Sequence, residues 1–244
     1  MKNAKVLLII PAYNEEENIL NTYKTIADYN KKNKTNYDVI VINDGSKDNT
    51  KKILEENNIP HINLIHNLGI GGAVQTGYKY AYYNDYDIAV QYDGDGQHDV
   101  RYVKDIIKPI IDKKADLVIG SRFVKKIDTF KSTLARRIGI RVISVFMKFA
   151  TKKKIYDTTS GFRACSKDII YDFSISYPNE YPEPITTAEV LKKKYVVDEV
   201  PVEMKEREGG VSSIRAWKNL YYMLNVCLAL VAVKIRRYKK CQRV

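Results

Sequence analysis

The sequence contains only three cysteines, Cys165, Cys227 and Cys241, and they stand far apart along its 244 residues. An odd number of widely spaced thiols argues against a disulfide framework in which every cysteine is paired. The same spacing lacks the paired motifs that hold structural zinc. We therefore expect the protein to work in a reducing compartment.

Long hydrophobic runs are also missing. The apolar stretch from Leu220 to Val233, interrupted by Asn225, is shorter than the roughly 20 residues that cross a bilayer. The apolar run at residues 6–10 is short, and Pro11 and acidic residues follow it at once, unlike a secretory signal. The sequence predicts neither a membrane-spanning helix nor export.

Acidic residues are scarce in one long stretch. The chain has 41 Lys and Arg against 29 Asp and Glu, a net charge of +12 and an isoelectric point of about 9.3. Between residues 122 and 154, Asp128 is the only acid among many basic residues. They are Arg122, Lys125, Lys126, Lys131, Arg136, Arg137, Arg141, Lys148, Lys152, Lys153 and Lys154. This imbalance, and a second basic cluster at residues 234–243, favour an anionic partner or surface.

In the first half of the chain, strand-like and helix-like patterns alternate. Strand patterns lie at residues 5–10, 37–43, 61–66, 86–92 and 116–120, and helical patterns at 16–33, 47–57, 71–84 and 101–113. This order predicts an α/β fold with a mostly parallel sheet and helices on both faces.

Polar clusters follow three of the expected strands, at residues 11–15, 43–46 and 93–98. Ligands of such sheets bind beyond the carboxyl ends of the strands, so these clusters should meet at one site. In the third cluster, Asp93 and Asp95 stand one residue apart directly after a strand. Two carboxylates so placed can hold a hard divalent cation, and a nucleotide diphosphate would complete its coordination.

The second half does not alternate in this way. We expect a basic helix from Ser132 to Ala150 and a strand from Tyr195 to Pro201. The prolines of residues 177–184 argue against a regular helix there, and residues 206–213 have the composition of a flexible polar loop. We divide the chain into a catalytic domain at 1–213 and an amphipathic helix with a basic tail at 214–244.

Six motifs in this order resemble those of family 2 glycosyltransferases of GT-A fold. They are residues 10–16 (IPAYNEE), 43–48 (NDGSKD), 67–73 (NLGIGGA), 93–98 (DGDGQH), 120–122 (GSR) and 160–164 (SGFRA). Within the family, the sequence is most similar to sugar transferases that act on polyprenyl phosphates, such as dolichol-phosphate mannose synthase. The resemblance covers residues 5 to 213 and implies a mostly parallel central sheet flanked by helices.

On the donor side, the resemblance implies contacts to a nucleotide sugar and a Mg²⁺ or Mn²⁺ ion. The nucleotide-sugar contacts would be Pro11, Tyr13, Glu15, Asp44, Asp93 and Gln97. Asp95 and Gln97, with Asp93 beside them, would bind the metal, and Asp95 would be catalytic. The family pattern has two acids at positions 43 and 44, whereas this chain has Asn43 first.

On the acceptor side, the resemblance implies arginine contacts to a phosphate. These would be Arg122, Arg137, Arg141 and Arg163, and Arg122 would also be catalytic. The family often has Arg and Ser one turn apart where this chain has Arg137 and Arg141. Arg207, before the glycines at 209 and 210, would close over the diphosphate during catalysis.

The proposed reaction moves a sugar from a nucleotide sugar, UDP-linked rather than GDP-linked, to a polyprenyl phosphate such as undecaprenyl phosphate, with inversion. An anionic acceptor needs cations and no general base, which the basic stretch suits. An alternative is transfer to a saccharide or protein hydroxyl, with Glu183 as the base. A non-catalytic basic module that binds nucleic acid or membrane explains the charge but leaves the acidic clusters unexplained.

The tail leaves two interpretations open. Trp217 and Tyr221 followed by an apolar run and terminal cations are typical of a helix in the membrane interface, here at the cytoplasmic face. A small membrane protein could also be its partner. The other interpretation is a C-terminal helix packed on the domain's own core.

Overall fold

The computed structural model describes residues 4–94, 96–124, 134–204 and 216–240, with side chains from residue 139 in the third range and from residue 221 in the fourth. Asp95, Arg207 and the side chain of Arg137 lie outside these residues. Their expected roles therefore remain predictions.

The first half follows the alternation that its sequence predicts. Its strands are β1 (Val6–Ala12), β2 (Tyr37–Asn43), β3 (His61–Asn63), β4 (Ile88–Gln91) and β5 (Leu117–Ser121). Its helices are α1 (Ile19–Asn33), α2 (Thr50–Glu56), α3 (Gly69–Tyr83) and α4 (Val103–Ile111). Every strand is short, β1 and β4 are fully buried, and each of these helices lies between two strands, which is the βα arrangement of a parallel sheet.

The second half contains α5 (Leu134–Thr151), β6 (Arg163–Ser166), α6 (Lys167–Ile175), α7 (Pro182–Lys192), β7 (Val197–Pro201) and α8 (Ala216–Ile235). The expected basic helix and late strand are confirmed as α5 and β7. The expectation of no regular helix at residues 177–184 is wrong at its end, because α7 begins at Pro182. Proline is tolerated there since the first helical N–H groups have no partner inside the helix.

The described strands form one seven-stranded sheet in the order β3-β2-β1-β4-β6-β5-β7. β1 pairs in parallel with both β2 and β4, and β5 pairs in parallel with β7. β6 is inserted between β4 and β5 and runs antiparallel to both, which the sequence pattern did not predict. Because β6 runs the other way, the residues just before it lie beside the residues that follow β4.

Helices cover both faces of the sheet, so two hydrophobic clusters form. One cluster joins the sheet to α3, α5, α6, α7 and α8, and the other joins it to α1, α2 and α4. The α/β fold with a mostly parallel sheet is therefore confirmed.

The C-terminal helix α8 has an inner and an outer face. Val226, Leu230 and Val233 are buried in the first cluster, where α8 packs against α5 and α7. Tyr221 and Leu228 are exposed on the other side. Among the helices described, none has the length and apolar character needed to cross a membrane. Core packing therefore accounts for one face of the helix and leaves the other face exposed.

Candidate active site

The loops after β1 and β2 are joined by hydrogen bonds at the carboxyl edge of the sheet. The Asn14 N–H donates to Ser46 Oγ at 3.0 Å, and the Lys47 N–H donates to Asn14 Oδ1 at 2.8 Å. The Glu15 N–H donates to Thr50 Oγ1 at 2.9 Å, which ties the first loop to the start of α2. Backbone groups that are paired in this way form a preorganised wall.

Two residues expected to line the nucleoside pocket lie on this wall. Pro11 is buried at the end of β1, whereas the Tyr13 side chain is 42 % exposed. An exposed aromatic ring at the carboxyl edge is available for stacking on a planar base. The structure thus brings Pro11, Tyr13 and Glu15 together at the edge that the sequence predicts.

Asp44 is buried at the end of β2 and is held in one orientation. Its Oδ1 accepts the Leu68 N–H at 2.7 Å, which ties β2 to the start of α3. Burial raises the pKa of Asp44, although the N–H groups of Leu68 and Gly69 oppose the shift. The carboxyl group is therefore fixed beside the pocket wall, where it could accept a hydrogen bond from a base.

Asn43 explains why an amide can stand where the family pattern has an acid. Its Nδ2 donates to Asn63 Oδ1 at 2.7 Å, and its Oδ1 accepts the Ser46 N–H at 3.3 Å. The amide at position 43 thus donates to one partner and accepts from the other, whereas an ionised carboxylate only accepts hydrogen bonds. The residue joins β2 to β3 and supports the loop of Ser46.

Asp93 follows β4 and lies beside the imidazole of His98. Its Oδ2 is 2.9 Å from His98 Nε2, and the His98 ring stacks on Phe162 with centroids 4.8 Å apart. Burial acts to raise the pKa of Asp93, but His98 and the charges of Arg122 and Arg163 outweigh it, so the pKa is lowered. The group is thus an ionised carboxylate at the centre of the edge.

The chemistry of the described donors fits a hard divalent cation. Asp93 supplies an ionised carboxylate, and Gln97, which is partly buried, supplies an amide oxygen. Oxygen ligands of this kind suit Mg²⁺ or Mn²⁺. Among the side chains that the structure describes, no three of His, Cys, Asp or Glu converge on one point. Any complete ligand set would therefore need Asp95, the substrate or water.

Glu183 lies at the start of α7 and faces the residues after β4. Its Oε1 is 3.4 Å from Gln91 Nε2, and the Tyr177 hydroxyl donates to Gln91 Oε1 at 3.4 Å. Burial raises the pKa of Glu183 even though the charge of Arg163 lowers it, and the nearby charge of Asp93 raises it further. The structure thus places this candidate base in the same region as Asp93.

Arg163 is fully buried and its donors are used within the protein. Nη2 donates to the Ser160 carbonyl at 2.9 Å, and Nη1 donates to the Glu183 carbonyl at 3.3 Å and to Thr186 Oγ1 at 3.1 Å. This arrangement does not support the expected direct contact with an acceptor phosphate, since the guanidinium is enclosed. Arg163 instead holds the loop before β6 against the start of α7.

Arg122 forms a buried ion pair with Asp157. Its Nε and Nη2 each donate to a carboxylate oxygen of Asp157 at 2.7 Å, and the two side chains are 5 % and 0 % exposed. Burial acts to lower the pKa of Arg122, but the charge of Asp157 outweighs it and the pKa is raised. Contact with an acceptor phosphate would require the guanidinium to share or exchange this partner. Of the other acceptor candidates, Arg141 is exposed on α5.

Several residues of this region were not identified from the sequence. Asp157 and Glu199, whose carboxylate accepts the N–H groups of Tyr156 and Asp157 at 2.8 Å, lie in no motif with a recognisable spacing. Gln91 stands two residues before Asp93, and its position at the end of a buried strand could have marked it. The motif at residues 93–98 gives His98 no role of its own, and its contact with Asp93 places it in the site.

An open, mostly parallel sheet with polar loops at its carboxyl edge is typical of α/β proteins that bind nucleotides. A sequence profile described as "Glycosyl transferase family 2" matches residues 7–173. The chain belongs to this family and is a glycosyltransferase. The resemblance drawn from the motifs is thereby confirmed.

Similar proteins include characterised transferases. The UDP-N-acetylglucosamine--dolichyl-phosphate N-acetylglucosaminyltransferase of Methanococcus voltae is 34 % identical, over 83 % of this chain and 86 % of the relative. The undecaprenyl-phosphate mannosyltransferase of Micrococcus luteus is 28 % identical, over 86 % and 87 %. Among solved structures, glucosyl-3-phosphoglycerate synthase of Mycobacterium tuberculosis, in complex with Mn²⁺, UDP and phosphoglyceric acid, has a TM-score of 0.69 at 16 % identity, over 96 % of this chain and 80 % of the neighbour. These comparisons confirm the GT-A fold.

Proposed function

We propose that this glycosyltransferase moves a sugar from a nucleotide sugar, preferably UDP-linked, to a polyprenyl phosphate, in the synthesis of cell-envelope glycans. One observation carries the proposal. Tyr13, Asp44 and Asp93 lie at the carboxyl edge of the sheet, in the same domain as helix α5, which is basic and contains no acidic residue. The relatives from Methanococcus voltae and Micrococcus luteus, named for transfer to lipid phosphates, support it.

The donor lies along the carboxyl edge in the order of the strands. The nucleoside binds at the ends of β2 and β1, beside Asp44 and Tyr13, and the diphosphate lies over the residues that follow β4. The sugar then extends towards β6. Four adjacent strands at about 4.8 Å spacing span roughly 14 Å, which suits a nucleotide sugar in an extended conformation.

The acceptor phosphate attacks the anomeric carbon from the side opposite the leaving diphosphate, so the configuration inverts. A phosphate oxygen already carries negative charge, so no residue has to remove a proton. The protein's task is to orient this anion with cations, for which Arg122, Arg137, Arg141 and Arg207 are the candidates. Arg163 supports the site from the core.

Asp93, Asp95 and Gln97 would hold a Mg²⁺ or Mn²⁺ ion beside the diphosphate. Such a cation stabilises the negative charge that develops on the leaving group. The lowered pKa of Asp93 keeps its carboxylate ionised for this role.

A second candidate function is transfer to a saccharide or protein hydroxyl. The position of Glu183 favours it, because a partly buried carboxyl group with a raised pKa lies in the same region as Asp93. A general base for a hydroxyl acceptor needs a pKa close to the working pH, and burial raises the pKa of Glu183 in that direction.

Titration calorimetry with nucleotide sugars tests the donor and metal assignments. The full chain should bind UDP-N-acetylglucosamine more tightly with Mn²⁺ than with EDTA. Asp95→Asn should remove this metal dependence and turnover and leave the thermal unfolding temperature within a degree or two. Asp99→Asn is the matched control, since this neighbouring acid pairs with Arg101 on the surface. Unchanged metal dependence in Asp95→Asn would refute the metal assignment.

We also propose that the enzyme attaches peripherally to the cytoplasmic face of the cell membrane through the outer side of α8. Tyr221, Leu224 and Leu228 are exposed there, and neither α5 nor α8 contains an acidic residue. Exposed apolar side chains beside cations suit an anionic bilayer surface. A small membrane protein could share the same face.

Point substitutions test attachment better than truncation, because removing α8 would also remove Val226 and Leu230 from the core. The double variant Leu224→Asn, Leu228→Asn should lose most co-sedimentation with anionic vesicles at low salt. Tyr83→Asn, which changes an exposed residue on α3, should sediment like the wild type. A wild-type chain that stays in the supernatant at low salt would refute attachment.

A further inference from the structure

Gly161 lies just before β6 and packs against two side chains: Gln91, the last residue of β4, and Asp93, which follows that strand. A Cβ atom at Gly161 would lie 3.1 Å from Asp93 Oδ1 and 3.1 Å from Gln91 Nε2. These contacts are tighter than most Cβ atoms make, so any side chain here would push on both groups. The backbone of Gly161 therefore approaches the Asp93 carboxylate and the Gln91 amide closely.

Gln91 in turn positions Glu183. The Gln91 side chain is buried, and its Nε2 lies 3.4 Å from Glu183 Oε1 while its Oε1 accepts from the Tyr177 hydroxyl. Arg163 donates to the Glu183 carbonyl and so holds the first turn of α7. Glu183 as a whole residue is only partly buried, so part of it is exposed beside these groups.

This arrangement lies on the side of the diphosphate where the sugar belongs. The strand order runs β2, β1, β4 and β6, so Gly161, just before β6, lies beyond Asp93 as seen from Asp44. Glu183 contacts Gln91 at the end of β4, next to this loop. The glycine at 161 places no side chain against the Asp93 carboxylate or the Gln91 amide. Carboxyl and amide groups of this kind can hydrogen-bond sugar hydroxyls.

We propose that Glu183, positioned by Gln91, hydrogen-bonds hydroxyl groups of the donor sugar and makes the site select a neutral hexose or hexosamine over a uronic acid. The inference rests on the proposed function for the location of the donor. Glu183 then determines donor specificity and is not the base of a hydroxyl transfer. A sugar carboxylate would meet both Glu183 and Asp93, and like charges at short distance repel.

Calorimetry that compares each diphosphate with its sugar conjugate tests the proposal. The full chain with Mn²⁺ is titrated with UDP, UDP-N-acetylglucosamine, UDP-glucose and UDP-glucuronic acid, and with GDP and GDP-mannose. For Glu183→Gln we expect an unchanged Kd for the free diphosphate and a roughly 10-fold weaker Kd for its neutral sugar conjugate, because charge-assisted hydrogen bonds to a carboxylate are about twice as strong as the neutral ones that the amide can still make. The preference for UDP-glucose over UDP-glucuronic acid should also narrow.

Glu189→Gln is the matched control. Glu189 is a partly buried carboxyl group six residues further along α7, where it accepts from the Tyr238 hydroxyl, and its pKa is also raised by burial. This variant should bind every ligand like the wild type. Equal weakening of free diphosphate and conjugate in Glu183→Gln would show a structural role and overturn the proposal.

The base hypothesis has a different signature. If Glu183→Gln binds the nucleotide sugar like the wild type and loses only kcat, Glu183 acts on the acceptor and the proposal is wrong. A wild-type chain that binds no nucleotide at all would instead refute the proposed function. The two failures are therefore distinguishable.

Discussion

The two halves of the carboxyl edge are built by different interactions. On the donor half, neutral side chains such as Asn14, Ser46 and Thr50 hydrogen-bond to backbone groups and join neighbouring loops. On the half that we propose for the acceptor, which we call the acceptor half, the charged groups of Arg122 and Asp157 are buried together. The donor wall thus depends on many small contributions, whereas the acceptor half depends on a few buried charges.

Because of this difference, the two halves should respond differently to a single substitution. A neutral hydrogen bond contributes about 1 kcal/mol, so the donor wall should survive the loss of any one of them. Removing one partner of a buried ion pair leaves the other charge unpaired in a medium that solvates it poorly. The acceptor half should therefore respond far more strongly to a single substitution.

The largest effect should come from Arg122→Ala. It leaves Asp157, which is 0 % exposed, without its cation, and we expect a loss of about 3–5 kcal/mol in the free energy of unfolding in urea. Arg101→Ala is the control, because it breaks a pair with Asp99 at the surface, and it should change stability far less. If Arg122→Ala unfolds like the wild type and only the KM for the acceptor rises, Arg122 is a substrate contact and not a structural ion-pair partner.

Gly71→Ala tests the contact between the start of α3 and the loop before α7. A Cβ at position 71 would lie 2.1 Å from the Pro178 carbonyl oxygen, so the backbone would have to move. We expect a loss of about 1–3 kcal/mol, typical of overpacking. Lys79→Ala, an exposed position on the same helix, should change the free energy of unfolding by less than about 0.5 kcal/mol. Equal unfolding curves for both variants would contradict the close packing.

Thr50→Val tests the hydrogen bonds that tie the loop of Glu15 to α2. It keeps the shape of the side chain but removes the acceptor of the Glu15 N–H and the hydroxyl that donates to Asp48 Oδ1 at 2.6 Å, and we expect a loss of about 1–2 kcal/mol. Nucleotide binding should weaken with it, because the loop of Glu15 loses an anchor. Thr25→Val, which changes an exposed threonine on α1, serves as the reference. A loss as large as that of Arg122→Ala would remove the distinction between the two halves.

The smallest expected effect is on the pH dependence of the free energy of unfolding, in Glu199→Gln. Burial raises the pKa of Glu199, opposed by the N–H groups of Tyr156 and Asp157, so the folded state binds this proton more tightly than the unfolded state. The resulting stabilisation is present below the ordinary glutamate pKa of about 4.3 and is lost as pH rises through the folded pKa.

Glu199→Gln cannot bind this proton. As pH rises through that range, its free energy of unfolding should therefore fall less than that of the wild type. Glu180→Gln, at an exposed position, should follow the wild-type curve. Parallel curves for Glu199→Gln and wild type would contradict the raised pKa.

The sequence predicted the donor half far better than the acceptor half, for a physical reason. Strands β1 to β5 and their helices follow a local alternation, and the clusters at residues 11–15, 43–46 and 93–98 each follow a strand, so their meeting at one edge could be inferred. The helical pattern at residues 71–84 likewise predicts α3, which the structure places at Gly69–Tyr83.

Contacts between residues distant in the chain could not be inferred. The antiparallel insertion of β6 depends on pairing with β4 and β5, which no local pattern reports. The pairing of Arg122 with Asp157, 35 residues later, and the enclosure of Arg163 by Glu183 and Thr186 arise from the same insertion. The sequence therefore identified the arginines but not their partners.

A transfer assay with a matched pair of acceptors tests the central claim most directly. The purified full chain is given Mn²⁺, labelled UDP-N-acetylglucosamine and either undecaprenyl phosphate or undecaprenol, which differ only in the phosphate. We expect label in the lipid fraction with undecaprenyl phosphate alone, and its loss in Asp95→Asn. Equal labelling of undecaprenol, or transfer to a saccharide hydroxyl but not to the lipid phosphate, would contradict the account.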